Sequence, residues 1–508
     1  MTTIALASFA LPLFMGFSIY LLPKFDRYLA LGVAIFSSAY GFYLLLTKLS
    51  LAPQLLDNFG VTLLVDELSG YFILTNGLVT AAVVCYCWQQ NKSAFFYSQA
   101  IVLHGSVNAT FICNDFISLY VALEVIGIAS CLLVAYARTD RSIWVALRYL
   151  FIGNTAMLFY LVGVALVYQA HHSFAFTGLR GSPPEAIALI LMAILAKAGV
   201  FILGLWLPLT HSEAESPVSA LLSAVVVKAG VYPLVRFALM MPEIDPLIRI
   251  FGVGSAILGV IYALFEKDTK RTLAFSTISQ LGFILAAPFA SGFYVLSHGL
   301  VKSSLFLIAG KLPSRKFSEL QNQGISPALW VPLAIAGLSI SGFPLLAGFG
   351  AKVVAMKNLL PWQEIPMNVA AVGTAIYFAK FIFLPHQRQL VTDTGPIAPQ
   401  LLHKAEDPKA GNLKSKQESE IPLGFWFAML ILIGGLILGN GFEYKAYTLA
   451  NMGKSLVTVG IGWAAYLILF KRVALKLPRT LEQLEHLAGV MSLMLIALFW
   501  MVLGVVMP

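Results

Sequence analysis

Charged residues are scarce in this chain of 508 residues. Lys, Arg, Asp and Glu make up 11% of it, against about 25% of an ordinary soluble domain. So little charge cannot cover a soluble fold of this size, and so much apolar sequence excludes a disordered chain. The formal charge of +9 does not indicate nucleic-acid binding, because the basic residues lie in short clusters without interleaved aromatic residues.

Cysteine is scarce as well. All four cysteines lie within apolar runs: Cys85, Cys87, Cys113 and Cys131. This placement excludes a disulfide framework or a spaced zinc site and predicts that they fill the core. No two histidines are spaced to bind haem, and no glycine-rich phosphate loop follows a strand. We therefore expect no metal and no cofactor in this chain.

Long apolar runs dominate instead, since 59% of the residues are apolar. A helix that crosses a bilayer needs roughly 20 apolar residues. Runs of about that length occupy residues 3–22, 27–47, 66–88, 94–113, 115–137, 142–169, 186–209, 216–241, 246–265, 271–290, 292–312, 327–358, 366–386, 421–440, 448–470 and 486–507. They predict an all-α, polytopic transmembrane bundle of about 14–16 helices. The first run lacks a basic leader and a small-residue cleavage site, so we expect a retained helix.

The basic residues between the runs predict the topology. Connections after odd-numbered runs carry 20 Lys and Arg, and those after even-numbered runs carry 6. The positive-inside rule therefore puts the odd connections in the cytoplasm and both termini outside. The polar stretch 387–420 has no apolar periodicity and is predicted to be a mobile cytoplasmic linker.

Basic residues inside the runs need an explanation of their own. Arg148, Arg236 and Lys380 lie near run ends, where snorkelling accounts for them. Near the middle of their runs lie four lysines: Lys197, Lys228, Lys302 and Lys352. A central lysine costs roughly 2.5–3.5 kcal/mol on insertion scales, so four of them indicate a function.

A single acidic residue, Glu124, lies deep inside a run. Burial opposes the charged form of a carboxylate or an amine, whereas an ion pair favours it. A lysine that gains and loses Glu124 as its partner would therefore bind and release a proton. His298 and Lys302, four residues apart, share one helix face and suit a proton relay. The alternative is a static buried ion pair that only fixes packing, and for His104 we favour a packing role.

Two runs contain helix breakers close to these charges. Pro208 follows Lys197, and the segment Gly-Phe-Pro at 342–344 precedes Lys352 in a run too long for one straight span. Broken helices in lipid are tolerated where their free carbonyls meet water or protein, and they commonly mark transport sites. The sequence therefore predicts two broken helices beside central lysines; simple proline kinks are the alternative.

Taken together, several motifs resemble one family, the antiporter-like subunits shared by complex I-type dehydrogenases and Mrp-type cation/proton antiporters. The resemblance runs from about residue 59 to 385. Its marks are Asn-Asp at 114–115, Trp-Leu-Pro at 206–208, Ser-Pro-Val-Ser-Ala-Leu-Leu-Ser at 216–223, Lys-Arg-Thr-Leu-Ala-Phe-Ser at 270–276, Ser-Gln-Leu-Gly at 279–282 and Gly-Phe-Pro at 342–344, with the buried charges between them.

The resemblance implies fourteen core helices and two inverted five-helix repeats. Residues 1–93 would be N-terminal helices, 94–241 the first repeat, 246–386 the second inverted repeat, 387–420 the linker and 421–508 C-terminal helices. It also implies a lateral chain of proton-translocating residues. In that chain Glu124 and Lys197 are the coupled pair, Lys228 the central relay, His298 and Lys302 the bridge, and Lys352 the terminal site.

These features lead us to expect a proton-translocating subunit of a multisubunit Na⁺/H⁺ antiporter of Mrp type, similar to its D subunit. Lysine at position 228 resembles both that D subunit and chain 4 of complex I, and lysine at position 352 and the segment 58–69 favour the Mrp type. The expected partners are other hydrophobic membrane subunits, the transported ions are protons and Na⁺, and the expected location is a plasma or energy-transducing inner membrane. Whether Na⁺ passes through this chain stays open.

Other classes of protein stay open too. The first alternative is a proton-pumping, chain 4-like membrane subunit of a complex I-type NAD(P)H/quinone oxidoreductase. The chain carries no flavin, iron–sulfur or NAD motif, so any redox activity would belong to partner subunits. A second is a standalone solute carrier whose central charges bind an organic anion, and a third is a structural module with inert ion pairs.

Overall fold

The computed structural model describes residues 2–55, 61–386, 421–470, 475 and 477–506. The predicted linker 387–420 lies outside the described residues. The first part of the chain forms helices α1 (Thr2–Leu21), α2 (Asp26–Thr47), α3 (Glu67–Cys87), α4 (Ala94–Thr110), α5 (Phe116–Val134), α6 (Asp140–His171), α7 (Pro184–Ala198), α8 (Leu207–Glu213) and α9 (Ser216–Met240). The remainder forms α10 (Asp245–Phe265), α11 (Thr269–Ala286), α12 (Ser291–Ala309), α13 (Phe317–Gln323), α14 (Pro327–Ser341), α15 (Ala347–Lys357), α16 (Pro361–Ile382), α17 (Leu423–Gly439), α18 (Leu449–Ala465) and α19 (Leu484–Val506).

Polar residues begin several of these helices. The carboxylates of Asp66, Asp115 and Asp268 accept hydrogen bonds from backbone amides in the first turns of α3, α5 and α11. Such caps satisfy amides that have no partner within the helix. These caps explain why the three helices begin at these residues.

A helix or a pair of helices occupies most of each of the sixteen predicted runs, which confirms the all-α polytopic bundle. By length and apolar content, eleven helices among the described residues could cross a membrane, and a bent pair raises the number to twelve. Some of the sixteen runs form helices that are too short to be counted as membrane-crossing. Helices α4 and α18 have 17 residues each, which is about 26 Å at 1.5 Å per residue. A straight crossing takes about 30 Å.

Both predicted breaks are present. Residues 184–198 and 201–213 meet at a bend of 41°, and Gly199 takes a positive φ of +70° at that point. The second break separates α14 from α15, where Gly342 has a φ of +86°. Glycine takes this conformation without steric cost, so each helix can stop in the middle of a run.

The C-terminal helices pack on the rest of the bundle. Helix α17 packs on α3 and α12, and α18 packs on α16. Helix α19 crosses back and packs on α6 and α7. Two ion pairs fasten the segment before it: Arg271–Glu482 at 2.6 Å and Arg479–Glu266 at 3.2 Å. Helix α19 therefore packs on the first half of the bundle, while the segment before it is fastened to the second half.

Candidate functional site

Glu124 and Lys197 form an ion pair inside the bundle. Lys197 Nζ lies 3.5 Å from Glu124 Oε1 and 3.4 Å from the carbonyl oxygen of Leu123. Two glycines make room for the ammonium group, since a Cβ at Gly127 or Gly153 would lie 3.2 Å from Nζ. Helices α5, α6 and α7 thus hold the pair in a slot that has no space for larger side chains.

A cavity of about 670 Å³ reaches the carboxylate side of this pair. Glu124, Arg148, Asn154 and Leu484 are among its lining residues. Arg148 is buried, and its Nε and Nη2 have no hydrogen-bond partner among the described residues. The pair is therefore reached from a space that contains a second buried charge and is bordered by the last helix.

Lys228 lies on α9 immediately after a π-helical turn, Leu222–Val226. Its side chain is 1% exposed, and Nζ donates to the carbonyl oxygen of Ser223, in that turn, at 2.5 Å. π-Turns within α-helices occur frequently at functional sites. The turn provides an acceptor for an amine that has no acidic partner among the described ion pairs.

His298 and Lys302 lie on α12 and are both fully packed by protein. Lys302 Nζ donates to the carbonyl oxygen of Leu273 at 2.8 Å, whereas neither ring nitrogen of His298 has a hydrogen-bond partner among the described residues. Both residues lie within range of the charge on Lys228. The structure thus brings three of the predicted residues into one buried cluster.

Lys352 lies on α15, just beyond the second helix break. Its Nζ donates to the carbonyl oxygen of Ser341 at 3.2 Å, a carbonyl at the broken end of α14. A small cavity of about 10 Å³ separates His298 from Ala351, the neighbour of Lys352. That volume is roughly what one water molecule needs, so there is room for a single water beside His298, between α12 and α15.

Sequence reasoning did not single out His211, which lies on α8. This side chain is 0% exposed, and neither ring nitrogen has a partner among the described residues. Its ring stacks on Phe306 with centroids 4.8 Å apart, within range of the charges of Lys302, Lys270 and Lys228. The sequence signal was the position of His211 three residues after Pro208, in the second half of a broken helix.

Arg236 and Lys380, for which the sequence predicts snorkelling, both contact protein groups. Arg236 makes a bidentate pair with Asp66, with both nitrogen–oxygen distances 2.6 Å. Lys380 donates to the carbonyl oxygens of Ala263 and Glu266. Both cations are therefore held by protein groups, which sequence spacing alone did not indicate. His104 fits its expected packing role, because its ring nitrogens contact the hydroxyls of Thr80 and Ser37 at 2.9 and 2.7 Å.

Comparison with known proteins identifies the class. A family model described as "NADH:quinone oxidoreductase/Mrp antiporter, TM" matches residues 113–377. This segment contains every buried charge of the site described above. The chain belongs to this family of membrane proteins.

Three curated relatives show which members are similar. The N subunit of the NADH-quinone oxidoreductase of Desulforudis audaxviator is 29% identical over 75% of this chain and 82% of its own. Chain 4 1 of the NAD(P)H-quinone oxidoreductase of Synechococcus elongatus is 30% identical over 65% and 68%. The D subunit of the Na⁺/H⁺ antiporter of Alkalihalophilus pseudofirmus is 27% identical over 63% and 70%.

Two solved structures share the fold. A chain of the Mrp complex from Dietzia sp. superposes with a TM-score of 0.75 over 96% of this chain and 59% of that one. A chain of respiratory complex I from Thermus thermophilus gives 0.71 over 90% and 99%. Each is 20% identical in sequence, so these likenesses establish the antiporter-like fold alone.

Proposed function

We propose that this chain is a proton-translocating membrane subunit of a multisubunit complex of the complex I and Mrp class. One observation carries the proposal: Lys228, His298 and Lys302 form a buried cluster with Glu124–Lys197 on one side and Lys352 on the other. A static role would call for an acidic partner beside each amine. Of the four lysines of the site, only Lys197 has an acidic partner among the described residues.

The spacing of the site suits a stepwise mechanism. A proton that reaches Lys228 adds a positive charge next to Lys302 and within the same core as Lys197. Like charges disfavour one another, so the new charge would weaken proton binding on its neighbours and loosen the Glu124–Lys197 pair. The proton would then pass through His298 and Lys302 and one water to Lys352, which releases it outward.

Among the two complexes, the relatives favour the quinone oxidoreductase. Proteins named as its subunits include those at 29% and 30% identity, while the D subunit of the antiporter stands at 27%. We therefore propose a quinone oxidoreductase of complex I type as the first candidate, in place of the expected Mrp antiporter. The Mrp-type Na⁺/H⁺ antiporter is the second candidate, supported by that relative.

The expected topology and division belong to this proposal. Residues 94–241 and 246–386 would be inverted repeats, each containing one of the two broken helices. Both termini would lie outside, and the partners would be other hydrophobic subunits in a plasma or energy-transducing membrane. The basic connections and the paired breaks support this arrangement.

Purification of the tagged full-length chain from its native membrane in mild detergent would test the assignment. Mass spectrometry would identify what copurifies, and inverted vesicles would report proton uptake driven by NADH or by a Na⁺ gradient. Flavin or iron–sulfur partners with NADH-driven uptake would support the first candidate. Small multi-pass partners with Na⁺-driven exchange would support the second, and solute uptake by the isolated chain would overturn both.

A further inference from the structure

Helix α18 carries a polar stripe along one face. Asn451, Lys454, Ser455 and Thr458 stand at positions i, i+3, i+4 and i+7, which lie together on one side of an α-helix. Away from the stripe, the helix presents Leu456 and Val457, which are 47% and 61% exposed. A helix that only filled space next to lipid would not need the polar stripe.

The stripe lines a cavity of about 280 Å³ that also reaches Lys352. The other side of the cavity includes Glu364 on α16. A single water needs only about 10–15 Å³ of such space, so the cavity has room for a chain of waters. Lys352 is 7% exposed and Glu364 is exposed, which gives the cavity a buried end and an open end.

Helix α18 also braces the second helix break. The hydroxyl of Ser455 donates to the carbonyl of Gly342, the residue with the positive φ. The side chain of Lys352 passes close to this point, because a Cβ at Gly342 would lie 2.8 Å from Lys352 Cδ. The same polar face therefore borders both the lysine and the backbone turn that shapes its surroundings.

The position of the cavity matches the outward face. Lys357 and Lys454 are among the few basic residues of the connections that the charge asymmetry places outside, and both line the cavity. A cavity on this face can only release protons outward if its walls are wettable. The stripe on α18 supplies that property, since the facing side of α18 would otherwise be apolar.

We propose that α18 forms the outward proton exit, in which waters held by Asn451, Lys454 and Thr458 carry protons from Lys352 to Glu364. This inference rests on the proposed function. In the exit step, the Lys352 ammonium gives its proton to a cavity water and becomes a neutral amine; the proton moves along the waters to the Glu364 carboxylate and then to bulk water. The positive charge of Lys454 opposes return of the proton to Lys352.

The test replaces the stripe by apolar residues of similar size. The variant N451L/K454M/T458V should lower proton uptake by inverted vesicles at least tenfold while the same subunits copurify. The matched control L456A/V457A alters residues of the same helix away from the stripe and should keep normal uptake. Ser455 is left in place so that the helix break is not disturbed.

A second readout does not depend on activity. In the assembled complex, Thr458→Cys should react with a membrane-impermeant thiol reagent applied from the outside, above the background of the wild-type cysteines, and Val457→Cys should not. Equal labelling of both positions, or of neither, would overturn the exit. If the stripe variant kept normal uptake while Lys228→Met lost it, the exit would be wrong and the proposed function would stand; if both kept it, the proposed function itself would fail.

Discussion

Gly230 on α9 lies directly against the backbone of Ala198 on α7. A Cβ built on Gly230 would stand 2.5 Å from the Ala198 amide nitrogen and 2.7 Å from its Cα. Ala198 follows Lys197, and Gly230 is two residues beyond Lys228. This crossing joins the ion pair to the central lysine, so the distance between the two helices sets the spacing of the charges.

Gly230→Ala should therefore impair proton transfer without touching a titratable group. The added methyl has no flexible neighbour to displace, and overpacking of this kind typically costs about 1–3 kcal/mol. We expect uptake by inverted vesicles to fall at least fivefold. Gly32→Ala is the matched control, since a Cβ there meets nothing within 4 Å. Normal uptake by G230A would show that the crossing does not set the charge spacing.

Glu124→Gln should abolish transfer and leave the Lys197 ammonium buried without its counter-charge. Removing one partner of a buried pair is destabilising by about 3–5 kcal/mol, whereas removing both is often neutral. We therefore expect E124Q to lower the melting temperature of the complex and E124Q/K197M to restore it. Proton uptake should stay absent in both variants. Recovery of uptake in the double variant would mean that the pair serves packing alone.

His211→Leu should lower proton uptake without lowering the stability of the complex. An imidazole with no hydrogen bond among the described residues contributes packing but no polar contact, and leucine keeps an apolar group against Phe306. We expect normal assembly and at least a fivefold loss of proton uptake. Phe306→Leu, which removes only the ring stack, is the control and should keep most of the uptake. If H211L kept full uptake, His211 would be a packing residue.

The C-terminal helix should be released by acid and by loss of Arg271. Burial by itself raises the pKa of Glu266, but Arg271 at 2.9 Å and Arg479 at 3.2 Å outweigh it and hold that pKa below its usual value of 4.5. The contribution of Arg479 exists only while the segment before α19 is attached. Because this pKa is lowered in the attached state, the ionised carboxylate stabilises attachment at pH values above the ordinary carboxyl pKa. That stability is lost as the pH falls through the lowered pKa of Glu266. Hydrogen exchange of residues 477–506 should therefore increase, beyond its intrinsic change, as the pH falls below about 4.5.

Arg271→Gln should produce the same increase at neutral pH, because Glu266 and Glu482 lose a shared cation. Arg479 remains beside Glu266, so the loss should be smaller than the roughly 3–5 kcal/mol of a fully broken buried pair. Lys316→Gln breaks the exposed Lys316–Glu319 pair and should change nothing, since exposed pairs contribute about 0–1 kcal/mol. Unchanged exchange in R271Q would show that apolar packing alone holds α19.

Much of this molecule could be predicted from residues taken along the chain. Apolar run length predicted the helices, Pro208 indicated a break near Lys197, and Gly-Phe-Pro at 342–344 indicated the break before Lys352. The first bend lies at Gly199, nine residues before that proline. The cost of burying charge singled out Glu124 and the four lysines. These features are local, because they depend on how each segment meets lipid or protein.

The features that were missed depend on contacts between distant segments. Arg236 pairs with Asp66, 170 residues away, and no periodicity indicates that partner. Likewise, the sequence of α19 shows an apolar span but not that it returns to α6 and α7. His211 is a candidate site residue because α11 and α12 place Lys270 and Lys302 near it, and this proximity is not visible along the sequence.

Lys228→Met tests the central claim most directly. Methionine matches the length of the buried side chain without its charge, so removal of an unpaired buried amine should leave the melting temperature of the complex unchanged or raised. The measurement is proton uptake by inverted vesicles from cells that express K228M in place of the wild type, beside the melting temperature and subunit content of the purified complex. A proton relay predicts an intact complex with at least a tenfold loss of uptake. An intact complex with normal uptake would contradict the account.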